Sequence, residues 1–186
     1  MTCRHDHCCS HRTSNLPSRR GVIITMTCAA MLPTDHSVAA TDASADDERF
    51  MRIALDEALQ GDRPFGAVIV RDGQMLVRAH NLSRTNGDPT AHGEMMAIRR
   101  GLVERGSLAL QGSTLYTTGE PCAMCMGAIL WCRFGRLVFA ASIQQLAATR
   151  DQIMISSADI AAKTSFVPIT ITGGVLAEEA MRLFAR

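Results

Sequence analysis

The 186-residue chain contains no apolar run long enough to span a bilayer, which takes about 20 consecutive residues. It therefore offers no membrane-crossing helix. It also has little net charge, formally +1. Residues 47–186 alone keep that balance, with 15 Lys and Arg against 14 Asp and Glu. A large nucleic-acid footprint rests on an excess of positive charge, so this balance gives no electrostatic argument for one. There is no internal repeat and no disulfide framework. Of seven cysteines, Cys3, Cys8, Cys9 and Cys28 lie in an unpatterned N-terminal stretch. Cys122, Cys125 and Cys132 lie where the chain reads as folded. An odd set of three, two of them as C-x-x-C, points to metal or redox chemistry.

What is present falls into two parts. Residues 1–46 are a polar, aperiodic stretch, a short apolar run (GVIITMTCAAML) and a linker-like segment. One reading is a disordered extension, or a start codon set upstream of Met26 or Met31, in a cytoplasmic protein. The alternative is a twin-arginine export signal and a periplasmic protein. Ser18-Arg19-Arg20-Gly21-Val22-Ile23 would supply the signal, and Val38-Ala39-Ala40 the cleavage site. The cluster His5, His7, Cys8, Cys9, His11 has a metal-binding composition but reads better as unstructured.

From Asp47 the pattern becomes regular, and 47–186 reads as one domain. DDERFMRIALDEALQG is an amphipathic helix stopped by Gly61, with Phe50, Ile53, Ala54 and Ala58 on one stripe. FGAVIVRDGQMLVRAHN reads as strand, Asp-Gly turn, strand. A helix follows from about Ala91 to Arg105. STLYTT is a strand, CAMCMGAILWCRF a helix opened by Pro121, RLVFAA a buried strand. Residues 142–165 give no clear element. FVPITIT reads as a strand and VLAEEAMRLFA as a closing helix. Helices alternating with strands after a hairpin make the class α/β with a mixed sheet.

Two stretches carry chemistry. In DPTAHGEMMA, Asp88, Pro89 and Thr90 form a turn, and His92 and Glu94 fall in the first helical turn. Side chains at i and i+2 point about 200° apart around a helix, so the two do different jobs. In GEPCAMCMGA, Pro121 suits a helix start because its missing N–H costs nothing there. Cys122 and Cys125 then share one face of the first turn, where the helix dipole favours thiolate. Two thiolates and His92 make three ligands of a zinc site and leave a fourth position for water, as in catalytic zinc. Glu94 is left to move protons. Cys132 is two turns past Cys125 and belongs to the core.

The paired H-x-E and P-C-x-x-C pattern resembles the zinc-dependent cytidine and nucleobase deaminase superfamily. The resemblance covers about residues 47–186. It implies a three-layer cytidine-deaminase-like fold, a mixed central sheet of about five strands flanked by helices. It implies zinc on His92, Cys122 and Cys125, and Glu94 as the catalytic proton carrier.

Within the superfamily the chain is similar to guanine deaminases and tRNA adenosine deaminases. PFGAVIVRDG and Trp131 in AILWCRF resemble the former. Asn81, eleven residues before His92, stands where that branch hydrogen-bonds the base. The H-G-E triplet and GSTLYTT are also similar to fungal cytosine deaminases, and the backbone N–H of Gly93 is a candidate base contact. The Gly-Phe-Asp motif of guanine deaminases is replaced by AATRDQIMISS, which leaves Asp151 as a candidate base-reading carboxylate or a solvated loop acid. The ending ITITGGVLAEEAMRLF resembles tRNA adenosine deaminases. Phe65 and Trp131 are candidate pocket walls or core. Glu120 either fixes a loop over the site or is a surface carboxylate. Arg99 and Arg100 read as a solvated face.

The resemblance implies hydrolytic deamination of a free nucleobase or small amino-heterocycle, guanine-like first. Alternatives are a tRNA adenosine deaminase, a cytosine deaminase and a non-enzymatic binding module; an intact Glu94 argues against the last. It also implies a homodimer, through helix 122–134 or the C-terminal helix. The rim of the pocket discriminates substrates. A basic rim favours RNA, and a closed acidic or apolar mouth favours a free base.

Overall fold

A computed structural model of the chain describes residues 43–185. The export-signal and His/Cys-cluster readings, and residues 1–42 of the 1–46 extension, lie outside the described residues, while residues 45 and 46 belong to the first helix. Among the described residues, no helix is long and apolar enough to cross a membrane.

The first helix, α1 (Ala45–Ala58), starts at Ser44, whose side chain and that of Asp47 form a reciprocal capping box. The hairpin follows as β1 (Gly66–Arg71) and β2 (Gln74–His80). Its tight turn places Asp72 and Gly73 both at positive φ, 51° and 73°, as a two-residue turn matching strand twist requires. Next come α2 (Gly93–Arg105), a single turn α3 (Ser107–Leu110), β3 (Thr114–Gly119), α4 (Ala123–Trp131) and β4 (Arg136–Ala141).

Two short helices, α5 (Ile143–Ala147) and α6 (Ser157–Ala161), occupy the stretch that gave no clear element. Strand β5 (Thr170–Gly173) and helix α7 (Ala177–Phe184) close the fold. The last strand is shorter than FVPITIT suggested. Pro168 has no N–H to give a ladder, and Phe166 instead packs edge-on against Trp131.

The strand order is β2-β1-β3-β4-β5. Strand β1 runs antiparallel to β2 and β3, while β3, β4 and β5 are parallel, so the sheet is mixed and five-stranded as expected. Alternate residues feed two cores. Val68, Val70, Tyr116 and Val138 pack with Phe50 and Met51 of α1 and Phe184 of α7. Ala67, Ile69, Leu115 and Leu137 pack with Ala97 of α2 and Met126 and Ile129 of α4. The α1 stripe is buried at Phe50, Ala54 and Ala58, with Met51 and Leu55 added.

One polar cluster ties the first core together. Buried Asp47 accepts both guanidinium nitrogens of Arg136, at 2.6 and 2.9 Å, and the Tyr116 hydroxyl at 2.9 Å. Burial alone would raise the Asp47 carboxyl, but bonds from Arg136, Ser44 and Tyr116 overcome it and hold it at about 2.

Candidate active site

The site forms where the N-termini of α2 and α4 meet. His92 is the N-cap of α2, with extended backbone (φ −68°, ψ 157°), and Cys122 is the N-cap of α4 (φ −62°, ψ 168°). His92 therefore precedes the helix rather than lying in its first turn, so the angle between helical positions does not apply. The Asp88–Thr90 turn holds it there: Asp88 Oδ1 accepts the N–H and hydroxyl of Thr90, and His92 N–H donates to Thr90 O. Pro121 likewise stands one residue before the cap, not at the first helical position. The His92 side chain makes no cap bond to its own helix, and the Cys122 sulfur is engaged by Cys125 and His92. Both are turned to a shared point.

His92 Nδ1 lies 3.7 Å from Cys122 Sγ and 3.6 Å from Cys125 Sγ, and the three donor atoms all fall within 4.8 Å of one another. Zinc with bonds of about 2.3 Å to sulfur and about 2.0 Å to nitrogen makes tetrahedral S···N edges of about 3.5 Å, so the triad fits that ion. The electrostatics agree. The Cys122 thiol is held down to about 4 by bonds from Cys125 and His92, against burial. The Cys125 thiol is pushed up by its bond to Cys122 and by burial. A bound cation favours the ionised form of both sulfurs.

Glu94 is buried, and its Oε2 has no hydrogen-bond partner. Burial pushes its carboxyl up to about 7, with its own backbone N–H opposing. A buried carboxyl oxygen left open costs stability unless a ligand or water meets it, so this atom is free to receive one.

His92, Cys122 and Glu94 line a cavity of about 970 Å³. Phe65 forms one wall, its ring nearly parallel to His92. Asn81 is buried and also lines the cavity. Its Oδ1 accepts the N–H and hydroxyl of Ser83 at 3.0 and 2.8 Å. Those donors fix the amide orientation and leave its nitrogen as a donor with no partner among the described residues. Asp151 lines the cavity at an exposed lip.

Two candidates fall elsewhere. Trp131 is 74% exposed, ends α4 and packs on Phe166, so it is neither pocket wall nor core. Gly93 is buried but does not line the cavity. A Cβ there would sit 2.6 Å from the Phe65 carbonyl oxygen, so its glycine serves the close approach of α2 to β1. Cys132 is partly buried against the second core, as expected. Arg99 and Arg100 are exposed and pair with Asp88 and Glu104.

Three arginines at the site carry no sequence motif. Arg63, Arg84 and Arg150 all line the cavity. None forms an ion pair among the described residues. Asp62 lies near Arg84, but its oxygens accept the backbone N–H groups of Arg84 and Thr85 and the Thr85 hydroxyl. Arg150 stacks over Phe184 and Phe65, and its Nε is buried without a partner. Its acidity is raised by burial and then by the neighbouring charge of Arg63.

A His/Cys/Cys donor set beside an open buried carboxyl, on this α/β scaffold, defines a zinc-dependent hydrolase. Residues 44–141 match the family model of the cytidine and deoxycytidylate deaminase zinc-binding region. The chain belongs to this deaminase family. It is 42% identical over 147 residues to a tRNA-specific adenosine deaminase of Haemophilus influenzae, covering 76% of this chain and 82% of that one. It is 36% identical over 148 residues to a guanine deaminase of Bacillus subtilis, covering 74% and 95%. It also aligns with a solved structure from work on A-to-I editing by tRNA:A34 deaminases at the wobble position of transfer RNA. There the TM-score is 0.63 and the identity 31%, over 73% of this chain and 98% of that one.

Proposed function

We propose that this deaminase removes the exocyclic amine of a purine carried in RNA, as tRNA adenosine deaminases do. The observation that carries the reading is the charge of the cavity lining: Arg63 and Arg84, with Arg150 set deeper on Phe184 and Phe65, form no ion pair among the described residues, against one exposed acid, Asp151. Cations left unpaired in a concave site attract a phosphate-bearing ligand. A free neutral base offers them nothing. The relation to the Haemophilus tRNA deaminase supports the same order.

The residues divide the work. Phe65 gives the base an apolar face, and the Asn81 amide nitrogen offers it a donor. His92, Cys122 and Cys125 would hold the zinc, which supplies the Lewis acidity that makes water nucleophilic near neutral pH. Glu94 Oε2 takes a proton from water, gives it to the ring nitrogen, and serves the departing amine in turn. Burial raises this carboxyl above the usual carboxylate range, the direction that suits a group that both takes and returns a proton.

The second reading is a free base, guanine first. Asp151 favours it, since a carboxylate at the cavity wall can accept ring N–H groups, and so does the guanine deaminase relative matched over 95% of its length. Ammonia release from an RNA hairpin with adenosine in its loop, beside guanine, cytosine and adenine, tests the choice. The proposal expects turnover of the hairpin, with strong salt inhibition. Turnover of guanine alone, flat in salt, would overturn it in favour of the free base.

A further inference from the structure

Glu120 stands two residues before the first thiolate and is 6% exposed. A carboxylate that deep needs partners. It has two, from two different helices. Oε2 accepts the N–H of Ile143 at 2.9 Å, and Oε1 accepts the N–H of Ser157 at 2.8 Å. Ile143 and Ser157 are the first residues of α5 and α6. Those N–H groups have no partner within their own helices. One side chain therefore fastens both helix starts.

The chain between these helices, residues 148–156, carries Arg150, Asp151, Gln152 and Ile153 of the cavity wall. The helices at its ends are also held by buried Ile143 and Leu146 and by the Ser157 hydroxyl on the Pro121 carbonyl. Arg150 lies over Phe184 and Phe65. The stretch between has few other bonds. Arg150 reaches the Phe184 carbonyl at 3.0 Å, and Thr149 bonds only the end of its own helix. Ile153, Met154 and Ile155 are exposed apolar side chains that add little burial. The backbone of Glu120 is itself fixed, its N–H donating to Ala141 at the end of β4 at 2.7 Å.

We infer that Glu120 is a positioning residue: its carboxylate sets the substrate-facing wall 148–156 against the cysteine end of the metal site. Glu120 borders the same cavity, but both of its carboxylate oxygens are taken by the two helix starts. It acts through the place it gives Arg150 and Asp151. The inference rests on the cavity being the substrate site proposed above, not on which base enters it.

Glu120→Gln and Glu120→Ala in the zinc-loaded full chain test this. Gln keeps the shape but offers one acceptor oxygen where two N–H groups point. Losing one charge-assisted bond corresponds to a factor of roughly 10 to 100. Amide exchange across 143–157 should quicken by about that factor, while α1 and α2 keep the parent rates and zinc stays at one per chain. On the loop-adenosine hairpin, KM should rise by about tenfold and kcat change by less than about threefold. Glu120→Asp, with both oxygens but a shorter reach, should lie between parent and Gln; it replaces Gln if that variant does not fold. Unchanged exchange across 143–157 would overturn the inference. So would a uniform rise across the whole fold, loss of zinc, or a fall in kcat with KM unchanged. If the hairpin is not turned over, the substrate reading fails, and the exchange pattern still decides the role of Glu120.

Discussion

Phe65 lies almost parallel to His92, with 7° between the ring planes and 6.4 Å between centroids, and Phe184 braces it from behind at 4.9 Å. The last helix of the chain thus supports a metal-binding imidazole through one aromatic ring. Phe65→Ala should leave His92 freer to rotate. Residues that orient metal ligands are worth about 10- to 100-fold in affinity, and this contact belongs at the lower end. Competition with a chelator measures it. Zinc affinity equal to the parent's would show that the stacking does not orient His92.

The thiolate pair makes a stronger prediction. Cys122→Ser or Cys125→Ser should cut bound zinc well below one per chain, because each removes one of three protein donors. Metal analysis of the purified protein checks it. Cys132→Ser should keep full zinc, since that thiol sits against the second core away from the triad. Full zinc in either of the first two variants would mean that the donor set is wrong.

The arginines of the cavity lining predict a salt effect. Arg63→Ala and Arg84→Ala should each weaken binding of the loop-adenosine hairpin. Each should also flatten the dependence of log affinity on log salt, by about one unit for every phosphate left without its arginine. Binding titrations at several salt concentrations measure both. An unchanged slope would remove the phosphate role of these side chains.

Asp47 governs acid stability. Its folded carboxyl is held at about 2, below its ordinary value of 3.8. A depressed folded value means that the unfolded chain binds the proton more readily. The stabilisation is therefore complete well above the ordinary value and is lost as pH falls from about 4 towards 2. Its size is about 2 kcal/mol, at about 1.4 kcal/mol per unit. Asp47→Asn should lose about that much at pH 7 and show a flatter acid limb in denaturant titrations. Parallel acid limbs for the two proteins would refute the assignment.

Much of the site was legible because its chemistry demands particular residues at short spacing. His92-x-Glu94 and Cys122-x-x-Cys125 are each local, and each marks a helix start. What the spacing left open was the conformation of the caps. Turn bonds from Asp88 hold His92 just outside its helix, a detail that periodicity does not carry.

The longer-range features were hidden for different reasons. Glu120 stayed open between fixing a loop and lying on the surface because its partners are 23 and 37 residues away, and no window around it contains them. The arginines vanished into a net charge of +1, because a sum over the domain is blind to where charges gather. Trp131 was placed by its residue type, which says nothing about the direction it points. The short helices α5 and α6 were readable after all. Ser142-x-x-Gln145 is a capping box and Ser156 caps with Asp159 nearby, but helices of five residues leave too little periodicity to notice.

The most direct test is Glu94→Ala, assayed for zinc and for ammonia release in the same preparation. In the proposed mechanism the carboxyl moves protons and lies outside the His92, Cys122, Cys125 donor set. Zinc should stay at one per chain, while turnover of the loop-adenosine hairpin or of any active free base falls by about 10²- to 10⁴-fold. Turnover within tenfold of the parent, with zinc in place, would contradict the account.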